Sequence, residues 1–455
     1  MKTKFARITG SIVAPRGFLA SGICCDIKRL GTGKGSEKGR KRDLALIVSE
    51  VPATVAGMFT TNQICAAPVK VSIQRVKKGV AQAIVVNSGN ANACTGKQGL
   101  RDAFTLTALV AKALHMPAEQ VLVGSTGRIG VMLPMDNLKR GILDAVTLLG
   151  DAPECADHAA EAIITSDTRR KQIAVAFKLS EKPVCMGGIC KGAGMIQPGL
   201  SATGRRPAAM PGRASRGAPN GGGPHRHATM LCFITTDAAI EAKALQAALA
   251  EAVAQSFNCI TVDGDMSTND TVLVLANGLA GNPQLRTPNS ELRTFQSGLN
   301  HVCLQLARMI VRDGEGVSRF VTLRLSGARN PAEADAAARA VANSSLVKTS
   351  WNGGDPNWGR IIDALGYSPS KVVEEMVDIG YSAPGRRKIL WSLKGGQPTK
   401  ASFKELCAAV APKEFDLHIN LNLGNAGAII YAADLTEKYV EFNKGDVSDA
   451  KSLGG

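Results

Sequence analysis

The sequence predicts an α/β protein, in which strands and helices alternate along the chain. The 455 residues are 45% hydrophobic, which suffices for a large core, and this length corresponds to about two or three domain-sized units. Gly is frequent, with 48 residues, whereas aromatic residues make up only 4%, which favours many tight turns over a fibrous or disordered chain. Apolar runs end in Gly-rich loops that lead into helical periodicity, an order typical of α/β folds.

The first half of the chain alternates apolar runs with turns and one clear helix. An Asn- and Gly-rich loop covers 87–96, where side-chain-to-backbone hydrogen bonds are expected. The helix that follows ends before Pro117, and a Gly-rich loop at 124–130 follows a strand. The predicted strands are 44–48, then 58–60 after a turn, 81–86, 121–123 and a hairpin within 174–190. The apolar face of the helix is predicted to be Leu100, Phe104, Thr107, Ala111 and Leu114.

The second half repeats this alternation. It begins with the apolar and β-branched run Met230 to Thr235, which predicts a buried strand, and a second polar loop covers 263–270. The predicted helices are 239–257, 292–311, 331–342 and a short helix within 351–368. The predicted strands are 271–276, 321–325 and two closing strands within 417–433, on either side of Gly424.

Composition excludes several classes of protein. No apolar run reaches the ~18 residues that a membrane span needs. The segment from Met1 to Arg7 leads into no apolar signal core, so we expect no secretion signal. The 11 cysteines are an odd number spread through apolar segments, which indicates reduced, buried thiols in a cytoplasmic protein.

Two basic, Gly-rich segments, 28–42 and 199–226, carry much of the formal net charge of +16. Such segments attract nucleic acid or other polyanions without sequence preference. No aromatic residue lies within them to stack on bases. We therefore interpret both segments as solvated loops inserted in an enzyme and expect no nucleic-acid partner; a basic, non-enzymatic nucleic-acid binder is the more distant alternative.

Familiar cofactor and metal motifs fail on inspection. Gly96-Lys97 resembles the end of a phosphate loop, but Gln98 stands where Ser or Thr must bind magnesium. Asp263 begins a calcium-loop pattern whose twelfth position is Val274 rather than Glu. His225 and His227 lack further ligands at metal spacing. We therefore predict neither a metal nor a cofactor.

Thr229 directly precedes the predicted strand Met230 to Thr235 and follows a Pro-, Gly- and Arg-rich segment. A threonine hydroxyl is a weak nucleophile unless a base lies beside it, and a freed α-amino group on the same residue is such a base. This position is therefore where a self-processed N-terminal threonine would lie. The residues of this stretch alone favour a buried strand threonine without chemistry.

Eight ordered segments make the chain similar to the ornithine acetyltransferase family of arginine biosynthesis, over nearly the whole length. The resemblance implies layered mixed sheets and helices of the N-terminal-nucleophile-like type. It also implies self-cleavage between Ala228 and Thr229 into an α chain, 1–228, and a β chain, 229–455, that stay together. The segments are 86–96, 125–127, 165–168, 191–196, 228–231, 263–271, 313–316 and 355–360.

The resemblance implies a two-step acetyl transfer. Thr229 takes the acetyl group of N-acetylornithine as an ester, ornithine leaves, and glutamate accepts the acetyl group, without metal or cofactor. Both steps pass through an oxyanion, for which the family pattern assigns Thr126 and Gly127. Whether acetyl-CoA is a second donor cannot be decided from these residues. The family also suggests a homo-oligomer of αβ units.

The same resemblance assigns a substrate pocket. An amino acid carries a carboxylate and an ammonium, which suit Lys191 and Glu315. The alternative is that these two are surface charges, and that Asn443 and Ser448 belong to a frayed C-terminal tail. The residues assigned to the pocket are Thr168, Lys191, Thr229, Glu315, Asn443 and Ser448.

The chain departs from the family pattern between Pro198 and Ala228, where the basic segment 199–226 intervenes. This segment contains a second Ala-Thr pair that ends at Thr203. We favour Thr229 as the nucleophile, because only Thr229 leads into an apolar strand. A related N-terminal-nucleophile amidase or aminopeptidase, which would use water as the acceptor, is the nearest rival function.

Overall fold

Two mixed β-sheets carry the fold of this computed structural model, which describes residues 5–28, 41–205, 229–286 and 289–443. The larger sheet contains ten strands within these ranges, in the order β1-β6-β7-β9-β11-β3-β4-β5, and β2 and β8 also pair with β3. Its strands are β1 (Ala6–Arg7), β2 (Phe18–Ile23), β3 (Leu44–Thr60), β4 (Val80–Asn90), β5 (Val121–Arg128), β6 (Lys171–Leu179), β7 (Lys182–Lys191), β8 (Leu200–Ser201), β9 (Leu231–Thr236) and β11 (Thr271–Ala276).

The smaller sheet contains seven strands in the described part of the chain, in the order β10-β17-β12-β16-β13-β14-β15. The two closing strands both pair with β12, one on each side, rather than with each other. Its strands are β10 (Ile260–Thr261), β12 (Phe320–Ala328), β13 (Asp378–Ser382), β14 (Leu390–Lys394), β15 (Gln397–Pro398), β16 (Glu414–Asn420) and β17 (Ala426–Ala433).

Helices cover both sheets, and their ends follow the capping residues of the sequence. Asn289 and Asn330 accept the backbone N–H of Leu292 and Glu333, which satisfies donors that a helix start leaves open. The helices are α1 (Ala67–Val76), α2 (Gly96–Ala113), α3 (Met135–Thr147), α4 (Pro153–Ile163), α5 (Ala242–Ala254), α6 (Ser290–Arg312), α7 (Pro331–Asn343), α8 (Ser345–Gly353), α9 (Trp358–Gly366), α10 (Phe403–Val410) and α11 (Glu437–Phe442). Over the described ranges, no helix is both long and apolar enough to cross a membrane.

Strand β9 lies at the centre of the larger sheet, antiparallel to β7 and parallel to β11. All six of its residues are buried. Cys232 and Ile234 belong to the core beneath α5 and α6, whereas Leu231 and Phe233 pack on the opposite face. A strand covered on both faces reads as a continuous apolar run, which is why the sequence pattern identified it.

The prediction of an α/β fold is confirmed, and most predicted elements are present. The turn predicted between 48 and 58 is wrong: β3 continues, and an irregularity between Val48 and Ala53 accommodates Pro52. The predicted face of α2 is also wrong in part. Leu100 and Phe104 are 36% and 38% exposed, and the helix buries small and branched residues instead. These buried residues are Gly99, Asp102, Ala103, Leu106, Thr107, Val110 and Ala111.

Three loop predictions also need correction. The loop predicted at 87–96 is wrong over its first four residues, because β4 continues to Asn90. The Gly-rich stretch that begins at 124 is not a loop, because β5 continues to Arg128. The basic segment 199–226 is not wholly an inserted loop, because Leu200 and Ser201 form β8 and pair with Thr60 and Phe59. Its remainder from 206, and residues 29–40 of the other basic segment, lie outside the described residues. The elements between 369 and 416 were not predicted.

We expect Gly187→Ala to destabilise the fold. Gly187 lies in β7, and a Cβ there would lie 1.7 Å from the carbonyl oxygen of Ser11, which is backbone and cannot move aside cheaply. Overpacking of this kind costs about 1–3 kcal/mol or more. The loss should appear as a lower melting temperature in calorimetry.

The matched control is Gly366→Ala at the end of α9, where a Cβ meets nothing within 4 Å. This variant should melt at or slightly above the wild-type temperature, because Ala favours helices. Equal melting of both variants would contradict the packing described for Gly187.

Candidate active site

Thr229 lies directly before β9, with 1% of its surface exposed. Its Oγ1 lies 2.8 Å from Oγ of Ser267, so the two hydroxyls share a hydrogen bond. The pairing of β9 with β11 explains this contact: Leu231 lies opposite Thr271, so the residues that precede the two parallel strands lie side by side. The structure therefore places the predicted nucleophile against the polar loop 263–270.

Asp270 extends the pairing of these strands by one residue. Its Oδ1 accepts the backbone N–H of Met230 at 2.9 Å, and Met230 O accepts the N–H of Thr271 at 3.1 Å. The other carboxyl oxygen, Oδ2, is buried without a hydrogen-bond partner among the described residues. A buried carboxyl oxygen left unpaired disfavours the ionised form of the side chain.

Asn269 links this loop to the end of β5. Its Nδ2 donates to the carbonyl oxygens of Ala91 and Ser125 at 2.7 and 2.9 Å. The residue after Ser125 is Thr126, which is fully buried. The two residues that the family resemblance assigned to the oxyanion, Thr126 and Gly127, are thus tied to the loop that contacts Thr229.

Gly127 lies near the end of β5 and could not be another residue without backbone rearrangement. Its φ of +130° lies in the region that side chains disfavour, and a Cβ would lie 2.2 Å from the carbonyl carbon of Gly89. The parallel neighbour β4 approaches that closely because Gly89 pairs with Gly127. The glycine is therefore required for the approach of two strand ends.

Lys191 ends β7 opposite Leu231 and has no exposed surface. Its Nζ donates to the hydroxyl oxygens of Thr126 at 3.2 Å and Thr165 at 2.8 Å. Burial lowers the pKa of Lys191, and the nearby carboxylates of Asp167, Glu315 and Asp270 act in the opposite direction. With Lys191 donating to its oxygen, Thr126 keeps its own hydroxyl proton for another acceptor.

Asp167 compensates the charge of Lys191. Its carboxylate lies 3.8 Å from Lys191 Nζ and accepts Lys171 Nζ at 2.6 Å and the backbone N–H of Gly192 at 2.7 Å. Burial alone would raise the pKa of Asp167, but the two lysines outweigh it and hold the pKa below its usual range. The carboxylate is therefore ionised at neutral pH.

Thr168 is connected to the same network through Asp313. Both its hydroxyl and its backbone N–H donate to the carboxylate of Asp313, which also pairs with Lys171. Thr168 itself is exposed. Its assignment to the substrate pocket stays a prediction, because the hydroxyl is already engaged.

Glu315 is 4% exposed, and its Oε2 accepts Asn443 Nδ2 at 2.9 Å. Its Oε1 is buried without a hydrogen-bond partner in the described ranges. Burial raises its pKa against the effects of the Ser166 hydroxyl and the Asn443 amide. Glu315 and Lys191 are thus buried rather than surface charges, and Asn443 contacts Glu315 at the end of the described chain. Ser448 and Ala228 lie outside the described residues.

Sequence reasoning missed Ser267, Asn269 and Asp270 as individual residues, although it singled out the loop 263–270. The signal that could have found them is positional. This loop and the approach to Thr229 each precede a six-residue apolar strand, β11 and β9. If two such strands pair in parallel, the residues before them must meet.

The site combines the buried hydroxyl of Thr229, the Ser267 hydroxyl in contact with it, and Thr126, whose oxygen accepts a hydrogen bond from Lys191. These groups define a candidate acyl-transfer site, in which a side-chain hydroxyl is the nucleophile and ordered donors stand nearby. A model of the ArgJ family matches residues 21–445. The chain belongs to the ArgJ family.

Curated relatives match along almost their whole length. The arginine biosynthesis bifunctional protein ArgJ of Symbiobacterium thermophilum is 43% identical over 438 residues, 96% of this chain and 98% of the relative. The protein of the same name from Geobacter sulfurreducens is 40% identical over 428 residues, 94% of this chain and 98% of the relative.

Solved structures give partial matches. One is the arginine biosynthesis bifunctional protein argJ from Bacillus halodurans, with 40% identity and a TM-score of 0.41 over 44% of this chain and 100% of that chain. Another is ornithine acetyltransferase complexed with ornithine from Mycobacterium tuberculosis, with 38% identity and a TM-score of 0.39 over the same shares.

We expect Asp270→Asn to change how stability depends on pH. Burial raises the pKa of Asp270 from its ordinary value to about 8, against the effect of the Met230 and Ser267 N–H groups. Between its unfolded and folded pKa values, the folded state holds a proton that the unfolded state has lost. Wild-type stability should therefore fall as pH rises through this window, whereas Asn does not titrate.

The measurement is the melting temperature at pH 5, 6.5 and 8, with Thr229→Ala in every variant so that an uncleaved chain is compared throughout. The melting temperature of Asp270→Asn should increase relative to that of its parent as pH rises. The control is Asp136→Asn, whose side chain is 87% exposed and which should follow the parent. Parallel profiles for Asp270→Asn and the parent would contradict a proton held at Asp270.

Proposed function

We propose that this chain transfers the acetyl group of N-acetylornithine to glutamate through an ester on Thr229, giving ornithine and N-acetylglutamate. Membership of the ArgJ family makes it an acyltransferase of arginine biosynthesis. The observation that supports the proposed route is the buried Thr229 hydroxyl at the start of β9, in contact with Ser267 and linked through Asn269 to the Thr126 strand end.

The reaction begins with cleavage between Ala228 and Thr229, which frees the α-amine of Thr229. This amine acts as the base that takes the hydroxyl proton when Thr229 attacks the acetyl carbonyl. Ornithine leaves with that proton on its amine, and glutamate then attacks the ester. No metal or cofactor takes part in either step.

Thr126 and Gly127 stabilise the oxyanion of both steps. The contact with Lys191 supports this role, because a donor on the Thr126 oxygen leaves its hydroxyl proton free for the developing charge. Preorganised donors of this kind are worth several kcal/mol in a water-poor site. The positive charge of Lys191 adds to the same field.

Glu315 receives the ammonium group of the amino-acid substrate. Its carboxyl group is buried beside the neutral side chains of Ser166 and Asn443, and a cationic ligand would compensate its charge. Thr168, Asn443 and Ser448 complete the pocket as neutral hydrogen-bonding groups. The positive charge of Lys191 complements the substrate carboxylate, while its N–H groups keep their hydrogen bonds to Thr126 and Thr165.

The setting of the enzyme follows from the same family. We propose a cytoplasmic homo-oligomer of αβ units, which uses acetyl-CoA as a second donor if the pocket admits it. No disulfide joins any of the described cysteines, which fits a reducing compartment, although Cys24 and Cys94 are exposed rather than buried.

Thr229→Ala should leave a single uncleaved chain without acetyl transfer, because it removes the attacking oxygen. Mass spectrometry of the wild-type protein should show chains 1–228 and 229–455, and the smaller should gain one acetyl group on incubation with N-acetylornithine. A small chain that begins at Thr203, or an intact chain that still transfers acetyl groups, would overturn the proposal. Acetate release without N-acetylglutamate when glutamate is supplied would favour the hydrolase.

Thr126→Val should lower kcat by roughly 10²–10³-fold with a smaller change in KM, as expected for loss of an oxyanion donor. Initial rates at varied N-acetylornithine would separate the two constants. Thr107→Val in α2 is the control, since this buried threonine donates to the Phe104 carbonyl instead. A similar fall in kcat for both variants would contradict the role of Thr126.

A further inference from the structure

Ser267 lies in the loop before β11, is 1% exposed, and is held from several sides. Its Oγ lies 2.8 Å from Thr229 Oγ1 and accepts the backbone N–H of Asn269 at 3.1 Å. Its carbonyl oxygen accepts the hydroxyl of Thr60 at 2.7 Å. The hydroxyl that contacts the nucleophile is therefore fixed in place before any substrate arrives.

Self-cleavage presents a chemical problem that acetyl transfer does not share. Before cleavage, the nitrogen of Thr229 belongs to an amide, which is not a base at neutral pH. The group that later serves as the base does not yet exist when Thr229 must attack for the first time. Within the described residues, Ser267 is the side chain that forms a hydrogen bond with the Thr229 hydroxyl.

We propose that Ser267 is a positioning residue for this first attack. Its Oγ accepts one hydrogen bond from the Asn269 N–H, and we assign its second lone pair to the Thr229 hydroxyl, in a contact where either oxygen can donate. With its proton directed to Ser267, Thr229 keeps an oxygen lone pair available for attack on the carbonyl carbon of Ala228. This inference rests on the proposed function, because it concerns cleavage at the same threonine.

The step is balanced without a cofactor. Thr229 Oγ1 bonds to the carbonyl carbon of Ala228, the Ala228–Thr229 C–N bond breaks, and the hydroxyl proton ends on the nitrogen, which becomes the amine. Water then adds its OH to the Ala228 carbonyl and its proton to Oγ1, which separates the chains. From this point the amine is present, so Ser267 should matter less for acetyl transfer than for cleavage.

The test follows cleavage of newly made protein. Cell-free synthesis with a labelled pulse and an unlabelled chase gives the rate at which the 455-residue precursor disappears from a denaturing gel. Ser267→Ala should cleave at least about tenfold more slowly than wild type, and Ser267→Thr, which keeps a hydroxyl, should recover most of that loss. In chains that do cleave, the fall in kcat should be smaller than the fall in cleavage rate.

Thr268→Ala is the matched control. It removes a buried hydroxyl of the same loop that donates to Asn269 Oδ1 instead, and should cleave within about twofold of wild type. Cleavage of Ser267→Ala at the wild-type rate, an equal loss in Thr268→Ala, or an equal loss in kcat and cleavage would overturn this inference. A wild-type chain that is never cut at Thr229 would instead overturn the proposed function.

Discussion

The parallel pairing of β9 with β11 is the constraint on which the site depends. Because Leu231 lies opposite Thr271, the residues that precede both strands lie together at the N-terminal ends of the strands. There the carboxyl group of Asp270 accepts the Met230 N–H. This contact continues the pairing by one residue and brings Thr229 against Ser267. A shift of register by one residue would exchange the faces of every side chain in the strand, so the core fixes the site.

Burial of charge is the second constraint. Lys191 and Lys171 have almost no exposed surface, and Asp167 and Asp313 compensate them. Removing one partner of a buried pair leaves an uncompensated charge and costs about 3–5 kcal/mol. Lys191 of the same network donates to the Thr126 hydroxyl oxygen and so orients that hydroxyl. A change in these charges would therefore affect both the active site and the stability of the sheet.

Local patterns predicted most elements, but not which face of each element points toward the core. In α2 the spacing of Leu100 and Phe104 is helical, yet Ala103 and Leu106 face the core. Phe104 instead lies under the guanidinium of Arg75, 5.7 Å from its ring centroid. Small residues face inward where helices approach closely, and periodicity alone cannot choose between two adjacent faces. The turn predicted between 48 and 58 is likewise absent, because β3 has partners on both sides that keep it extended.

The sequence by itself determined the order of most strands and helices, the buried character of β9 and, through its motifs, the family and the position of Thr229 directly before that strand. Only the tertiary structure decided that Ser267 and Asp270 stand beside that threonine and that Lys191 orders Thr126. Thr229 and Ser267 are 38 positions apart, and their contact follows from strand pairing. Local patterns indicate which residues of an element are apolar. They do not indicate which distant strand lies next to that element, because strand pairing depends on the packing of the whole core.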